Sequence, residues 1–366
     1  MRASESSDAA VRKARYGVIE GFFGRTWSWP ARLETLDFLA AAHLEFYVYA
    51  PKAEAFLRRR WHEPLPGETV AALRTLAERA GQLGITLGAG LTPYEIYLNY
   101  DAAARAHLRA KIAALDDIGV GMLCLLFDDM RGDVDALASL QARIVDDVAS
   151  WTRAAQLIVC PTYYSSDPRL AKEWGDAPAQ YLADLGRLLD PRIDVFWTGE
   201  KIISDSYSVE HLEAIGTTLR RRPFIWDNHG SNDARSRTGR LFLDPMRRGW
   251  SVPRDKVAGI AFNPMNEPAL ARIALAVYAQ ALELTKLGND PERVKAAIHW
   301  LCTPPVAADL LSDLSRFEDE GLSGFKPEET QRLAERYARH GSDVFAREIL
   351  DWARGGYAFD PACLTD

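Results

Sequence analysis

Eight short apolar segments alternate with helical patterns over the first 285 residues, and few folds accommodate such an alternation. The segments span residues 16–23, 45–50, 85–93, 121–129, 156–164, 193–199, 222–228 and 256–264. Each is rich in Val, Ile, Leu or aromatic residues at consecutive positions. Such runs are typical of strands that are buried on both faces of a parallel sheet.

Helical patterns separate most of these segments, with Ala, Leu, Arg and Glu at helical spacing over residues 31–42, 69–84, 102–119 and 268–284. Gly84 and Gly119 end two of them, as glycine commonly does. Eight strand–helix units predict an α/β fold, a (β/α)8 TIM barrel over residues 16–288. A doubly wound open sheet is the alternative, but no GxGxxG follows the first strand. The connection over residues 229–255 has little helical pattern.

The two ends of the chain have different patterns from the barrel. Residues 1–15 are small, polar and charged, and we predict a disordered tail there. After residue 289 the pattern consists of helical segments that open with Pro or Asp. We therefore predict a small C-terminal α-helical region over residues 289–366, and we expect it to cover part of the groove beside the active site.

Composition excludes several classes of protein. The 366 residues include 51 acidic and 44 basic side chains, a net charge of −7, which argues against nucleic-acid and membrane partners. No apolar run approaches the ~18 residues of a membrane span, and the N-terminus has no signal-like apolar stretch. We predict a cytoplasmic protein. Its four cysteines form no CxxC pair, so neither a zinc site nor a redox dithiol is indicated.

The strongest chemical signal is Asp128-Asp129, directly after the apolar run CLLF. Active sites of these barrels lie at the C-terminal ends of the strands. Two adjacent carboxylates there push one pKa upward, which makes one a general acid and leaves the other ionised. Both reach one site only where the strand gives way to a loop, because neighbours in a strand face opposite ways. The structural alternative is a helix cap beside a solvated Asp.

Other residues at the strand ends suit a sugar ligand. Aromatic surface comes from Phe23, Tyr164, Trp197 and Trp226, and groups that pair with hydroxyls come from Asn228, Asp233 and Asn263. Lys52 is a single cation in an acidic rim. A metal site is weakly indicated, because His229 lies near two Asp residues but no HExxH is present. The GxSxG elbow of serine hydrolases is absent as well.

Seven of the eight strand segments carry motifs that resemble glycoside hydrolase family 84, the O-GlcNAcases and bacterial β-N-acetylglucosaminidases. In chain order these are GVIEGFFGRTW (17–27), YVYAPK (47–52), LLFDD (125–129), CPTYY (160–164), FWTGEK (196–201), IWDN with the following ND (225–233), and FNP (262–264). The resemblance covers residues 16–285. Phe23 departs from it, since the family often has Tyr there.

The resemblance implies a retaining exo-β-N-acetylglucosaminidase that removes terminal β-linked GlcNAc, including GlcNAc on Ser or Thr of glycoproteins. The sugar's own acetamido oxygen then acts as nucleophile and an oxazoline forms, with no cofactor and no metal. By resemblance Asp128 orients the acetamido N–H and Asp129 is the general acid and later the base. Tyr164 donates to the acetamido oxygen. The acetyl pocket consists of Cys160, Thr198, Ile202 and Trp226, and the sugar hydroxyls are held by Gly21, Lys52, Asn228, Asp233 and Asn263.

Several alternatives remain open at the level of sequence. The substrate is a GlcNAc-bearing glycoprotein, peptide or glycan, so a hexosaminidase of cell-wall or other glycan fragments is one alternative. Another acetamido-assisted family ranks low, because those enzymes use an Asp–Glu pair and no Glu adjoins Asp129. A catalytically silent GlcNAc-binding module is a different class, and the presence of Asp129 argues against it. Chelator insensitivity would exclude a metal-dependent barrel hydrolase.

Overall fold

The computed structural model describes residues 13–286 and 292–364. Within them eight parallel strands close into a barrel in the order of the sequence, with β1 pairing to both β2 and β8. The strands are β1 (Arg15–Glu20), β2 (Phe46–Tyr49), β3 (Thr86–Leu91), β4 (Met122–Leu126), β5 (Gln156–Cys160), β6 (Asp194–Trp197), β7 (Phe224–Asp227) and β8 (Gly259–Phe262). The predicted (β/α)8 barrel is confirmed.

Helices surround the barrel and connect its strands. They are α1 (Trp29–Ala41), α2 (Gly67–Leu83), α3 (Ala102–Ile118), α4 (Leu137–Trp151), α5 (Arg169–Trp174), α6 (Tyr181–Leu188), α7 (Val209–Leu219) and α8 (Pro268–Ala281). Between β7 and β8 the structure has only short 3-10 turns, Pro245–Arg248 and Arg254–Lys256. The weak helical pattern over residues 229–255 is explained by this irregular connection.

Every strand ends before its apolar segment does. β5, for example, ends at Cys160, whereas the apolar segment continues to Tyr164. The remaining residues of the segments, after each strand, are loop at the mouth of the barrel, buried except for the half-buried Asn228. Apolar character therefore predicts burial more accurately than it predicts the end of a strand.

Aromatic rings fill the lower part of the barrel. The ring of Phe224 lies 5.9 Å from that of Phe46 and 5.5 Å from that of Phe196, centroid to centroid. Glycine makes the room for them, because a Cβ on Gly17 would lie 2.6 Å from the Phe46 ring, and one on Gly259 would lie 2.5 Å from the Phe224 ring. The barrel interior is thus a packed core, and space for a ligand remains only at the mouth.

Over the described residues 292–364, four helices follow the barrel: α9 (Arg293–Leu301), α10 (Pro304–Asp319), α11 (Pro327–Ala338) and α12 (Val344–Ala353). The Glu348 carboxylate of α12 accepts hydrogen bonds from the backbone N–H groups of Ala269 and Leu270, at 2.8 and 2.9 Å. These N–H groups belong to the first turn of α8, where a helix has no internal acceptors. The C-terminal region therefore caps the last barrel helix.

Some sequence-based expectations are not tested by these features. The predicted disordered tail, residues 1–15, lies outside the described residues except at its end, where β1 already begins at Arg15. The domain boundaries stay predictions. Among the described residues no helix is long and apolar enough to cross a membrane, and the cytoplasmic location stays a prediction. The four cysteines are free thiols and all are buried.

Candidate active site

One cavity opens at the C-terminal ends of the strands, with an empty volume of about 510 Å³. The structure places all twelve site residues predicted from the sequence around it: Gly21, Lys52, Asp128, Asp129, Cys160, Tyr164, Thr198, Ile202, Trp226, Asn228, Asp233 and Asn263. They come from seven of the eight strand ends and are brought together by closure of the barrel. Their individual roles stay predictions. The cavity is within the size range of small-molecule sites.

The two adjacent aspartates both face this cavity because the chain leaves the strand just before them. β4 ends at Leu126, and Asp129 has a φ of +55°, in the left-handed region. That conformation costs a non-glycine residue of order 1–3 kcal/mol, and such residues cluster at functional sites. Both residues are 5% exposed. The left-handed turn thus brings together two carboxylates that a regular strand would separate.

Lys52, from the loop after β2, supplies the positive charge for this pair. Its ammonium group donates a short hydrogen bond to Asp128 Oδ2 and lies 3.5 Å from Asp129 Oδ2. Burial alone would lower the pKa of Lys52, but the two carboxylates outweigh burial and raise it. Lys52 therefore carries its charge in the site and compensates the carboxylates unequally, with the closer contact to Asp128.

Asp129 is the carboxyl group that favours protonation. Burial raises the pKa of Asp129 above its usual value, Lys52 opposes that rise and the charge of Asp128 adds to it. Asp128 Oδ1 is buried and, among the described residues, has no hydrogen-bond partner. A buried carboxylate oxygen without a donor is costly, and a ligand N–H placed there would satisfy it. The pair thus offers an acid and, beside it, an acceptor.

Tyr164 approaches the same pair from the loop after β5. Its hydroxyl donates to Asp129 Oδ1 at 3.2 Å, and this hydrogen bond lowers the pKa of Asp129. The family resemblance assigns this hydroxyl to the acetamido oxygen of the sugar. In the structure the hydroxyl contacts the acid, so donation to a bound sugar requires it to turn away from Asp129.

A chain of amide hydrogen bonds crosses the opposite side of the mouth. The backbone N–H of Gly21 donates to Asn263 Oδ1 at 3.1 Å, Asn263 Nδ2 donates to Asn228 Oδ1 at 2.9 Å, and Asn228 Nδ2 donates to the Ile202 carbonyl at 2.9 Å. Asp233 lies beside this chain, where its carboxylate accepts the backbone N–H of Phe23 at 2.9 Å. These polar groups are fixed before any ligand binds, which lowers the entropic cost of holding hydroxyls.

Close packing fixes the aromatic wall of the cavity. A Cβ on Gly21 would lie 2.3 Å from the indole of Trp226, so only glycine allows that ring to lie over the strand end. Trp197 is different, because its indole N–H donates to His211 Nε2 at 2.9 Å on the helix side of β6. The sequence-based expectation that Trp197 supplies rim surface is therefore wrong. The strand alternation turns it outward, while Thr198 faces the cavity.

The cavity has further lining residues that the sequence did not indicate as site residues: Ile203, Ser231, Ala234 and Cys363. Ser231 and Ala234 lie within or next to the IWDN…ND motif, so motif position could have indicated them. Cys363 comes from the segment after α12, more than 90 residues beyond the last barrel strand. No local signal marks it. The expected contribution of the C-terminal region to the groove is thus made by the segment after its last helix.

Metal ligation has no geometric support among the described residues, where no group of three or more His, Cys, Asp or Glu side chains is placed to hold an ion. His229, the residue considered for such a site, is buried with Nδ1 2.9 Å from the Tyr278 hydroxyl. Burial lowers the pKa of His229 and keeps the ring neutral. Its surroundings are those of a core histidine.

Comparison with known families decides the assignment. The β-N-acetylglucosaminidase family matches residues 16–314, which include β2 to β8, all of β1 except Arg15, and all twelve predicted site residues. The chain belongs to this family. The match confirms the family resemblance drawn from the strand-end motifs.

Individual relatives agree with the family assignment. The chain is 28% identical over 274 residues to Protein O-GlcNAcase from Rattus norvegicus, and 29% identical over 266 residues to that from Mus musculus. These alignments cover 72% and 69% of this chain but only 29% and 28% of the relatives, so the chain spans less than a third of their length.

A solved structure resembles the whole fold. A mutant O-GlcNAc hydrolase from Thermobaculum terrenum superposes with a TM-score of 0.73 at 26% identity, and the match covers 94% of this chain and 81% of that one. The similarity therefore extends past the barrel into the C-terminal helices.

Proposed function

We propose that this chain is a retaining exo-β-N-acetylglucosaminidase that hydrolyses terminal β-linked GlcNAc with help from the substrate's own acetamido group. The observation that carries the proposal is the asymmetry of the aspartate pair. Asp129 is a buried carboxyl with a raised pKa, whereas Asp128 is paired with Lys52 and keeps one buried oxygen without a donor. An acid and a ready N–H acceptor, side by side, suit a 2-acetamido sugar.

In the first step the acetamido carbonyl oxygen attacks C1 of the sugar as the C1–O bond to the leaving group breaks. Asp129 donates its proton to the departing oxygen, so the aglycone leaves as a neutral alcohol. Asp128 accepts the acetamido N–H through its free oxygen. Its negative charge stabilises the positive charge that develops on the oxazoline ring. Lys52 holds Asp128 in place for this role through its hydrogen bond to Oδ2.

In the second step water attacks C1 from the face that the aglycone left. Asp129, now a carboxylate, takes the proton of that water, and the C1–O bond of the oxazoline ring opens. Two inversions at C1 give retention. The usual retaining scheme employs a second enzyme carboxylate as nucleophile. Here the substrate supplies the nucleophile, so Asp128 orients and stabilises it.

The physiological leaving group belongs to the proposal as well. The names of the rat and mouse relatives describe enzymes that act on O-GlcNAc of proteins. Their similarity to this chain supports Ser- or Thr-linked GlcNAc of glycoproteins as the substrate. The cavity that would hold the sugar lies at the strand ends, and Asp129, the proposed acid, is one of its lining residues.

Hydrolysis of aryl β-N-acetylglucosaminides tests the proposal, with the aryl β-glucosides as a control for the acetamido group. We expect wild type to cleave only the acetamido sugars. Asp129→Asn should lose about 10²–10⁴-fold on poor leaving groups and far less on activated ones, because an activated group needs little acid. Asp128→Asn should be slow on all of them.

Asp133→Asn is a matched control from the same loop, because the Asp133 side chain is exposed and pairs only with Arg131 among the groups described around it. This variant should keep wild-type rates. Equal cleavage of the plain glucoside by wild type would contradict the acetamido mechanism. Binding of GlcNAc with no turnover of any aryl glycoside would point to a binding module instead.

A further inference from the structure

Two neighbouring arginines have no role in the mechanism above: Arg58, which lies beside the cavity-lining Phe23, and Arg59, the next residue. Arg58 and Arg59 follow the first turn after Lys52 and flank the ring of Tyr94. The guanidinium carbon of Arg59 lies 3.9 Å from the Tyr94 ring centroid, and that of Arg58 lies 5.8 Å from it. Arg58 also lies 5.5 Å from the ring of Phe23, which lines the cavity. We call Arg58, Arg59 and Tyr94 the arginine rim.

The arginine rim lies on the side of the cavity where the general acid is. The positive charge of Arg58 is close enough to lower the pKa of Asp129. Because Asp129 protonates the leaving oxygen in the proposed mechanism, the groups beside it face the leaving group. Arg58 therefore borders the point where the aglycone departs, and Arg59 lies one aromatic ring further out.

Neither arginine is neutralised by this chain. Over residues 13–286 and 292–364 no carboxylate forms an ion pair with Arg58 or Arg59, and Arg58 Nε is buried without a hydrogen-bond partner. The nearby acids are otherwise engaged. Glu63 pairs with Arg60, and Glu54 accepts a hydrogen bond from the Tyr49 hydroxyl at 3.0 Å. Glu95 interacts electrostatically with Arg131.

Other arginines, such as Arg109 and Arg143, also have no ion pair among the described residues, so the distinguishing feature of the arginine rim is its place beside the cavity, where Arg58 lies 5.5 Å from the ring of Phe23. A buried donor without an acceptor is costly unless a ligand supplies one. Guanidinium groups recognise carboxylates with matched geometry. The charge of the arginine rim is thus complementary to an acidic ligand.

We infer that the arginine rim is a leaving-group subsite for acidic peptide, so that GlcNAc is removed preferentially from Ser or Thr residues with Asp or Glu nearby. This inference rests on the proposed function. A peptide is favoured over a sugar because the rim lacks an open stacking platform: Arg59 covers one face of Tyr94 at 3.9 Å. Sugars stack best on aromatic faces that no other group covers. A ring covered by a guanidinium group presents positive charge instead.

A pair of glycopeptides tests the inference. Both carry one GlcNAc-Ser, and the flanking positions are Glu in one and Gln in the other. At low salt we expect wild type to prefer the Glu peptide about two- to fivefold in kcat/KM, the range of an exposed ion pair. Arg59→Gln should bring the ratio close to one. Added salt of about 0.5 M should do the same in wild type by screening.

Arg60→Gln is the matched control. Arg60 is the next residue, is also exposed and stacks on Phe56, but Glu63 already neutralises it. This variant should keep the wild-type preference. A ratio near one in wild type, or equal effects of the two substitutions, would overturn the inference.

A second pair distinguishes the occupants: GlcNAc linked to a carboxylate-bearing sugar, and the corresponding amide. If Arg59→Gln abolishes a preference within this pair and leaves the peptide pair unaffected, the peptide assignment is wrong. A binding measurement separates this inference from the proposed function, because it needs no turnover. The Glu and Gln glycopeptides, each carrying a fluorophore, are bound to the Asp129→Asn variant. The Glu peptide should bind more tightly, and Arg59→Gln in that background should remove the difference. Equal binding of the two peptides would overturn the inference.

Discussion

Asp128 and Asp129 are neighbours in the sequence but have different surroundings in the fold. Lys52 gives its short hydrogen bond to Asp128, while Asp129 has the weaker ionic contact at 3.5 Å and a hydrogen bond from Tyr164. Both carboxyl groups are buried, but only Asp128 is in close contact with the positive charge of Lys52. This difference divides the acid role from the orienting role. The sequence predicted the pair because two adjacent carboxylates follow a buried strand and the other strand ends are polar as well.

Substitution of Tyr164 tests how its hydrogen bond affects the pKa of Asp129. Its hydrogen bond lowers the pKa of Asp129, so Tyr164→Phe should raise that pKa. A general acid is active while protonated, and activity is lost as the pH rises through its pKa. The loss of kcat/KM at high pH should therefore move to higher pH in the variant, and kcat should fall about tenfold or more because the acetamido oxygen loses a donor.

The measurement is a pH–rate profile on an aryl β-N-acetylglucosaminide. Tyr163→Phe provides the control, because the hydroxyl of Tyr163 donates to the Gly175 carbonyl at 2.6 Å, away from the aspartates. In that variant the fall of kcat/KM at high pH should occur at the same pH as in wild type. A high-pH limb that stays in place or moves to lower pH in Tyr164→Phe would show that this hydroxyl does not act on the acid.

The strands and their order could be predicted from the sequence because each is a continuous apolar run, and a parallel barrel buries both faces of every strand. Side-chain direction was harder. Trp226 faces the cavity and Trp197 faces a helix, although both stand at strand ends. One residue of register decides the difference, and composition does not report register. Cys363 was unpredictable for another reason, since only tertiary packing brings its segment to the cavity.

The link between α12 and α8 predicts a measurable cost. Glu348→Ala removes the acceptor for two N–H groups at the start of α8 and should destabilise the protein by about 1–3 kcal/mol, as the loss of a helix cap and buried hydrogen bonds does. Urea unfolding measures it. Asp351→Asn on the same helix should cost less than about 1 kcal/mol, because its pair with Arg25 is exposed. Equal losses of unfolding free energy in Glu348→Ala and Asp351→Asn would argue against the cap.

The whole molecule holds several carboxyl groups in apolar surroundings, and Glu267 is the clearest. Burial raises its pKa to about 8, and Asn232 donates to its Oε2 at 2.8 Å. Burial likewise raises the pKa of Glu348 and of Glu318 to about 7. At pH values between the ordinary glutamate pKa and these raised values, such groups keep their protons in the fold and lose them once the chain unfolds, so they link stability to pH.

Stability should fall as the pH rises from about 4.5 to about 8. In that window the unfolded chain loses the Glu267 proton while the folded chain keeps it, which favours unfolding. Glu267→Gln removes this contribution, so its melting temperature should vary less with pH than that of wild type. Glu283→Gln, at an exposed position, should follow wild type. If the melting temperature of Glu267→Gln varied with pH as steeply as that of wild type, Glu267 would be ionised in the fold.

The central claim is that the acetamido oxygen is the nucleophile, and fluorination of that group tests it most directly. Successive fluorine atoms on the acetyl methyl withdraw electrons and weaken the carbonyl oxygen, while the glycosidic bond and the leaving group are unchanged. The proposed mechanism predicts that kcat/KM falls steeply from the acetamido sugar to the mono-, di- and trifluoroacetamido sugars. Rates that are insensitive to fluorination would contradict it and would require an enzyme carboxylate as the nucleophile.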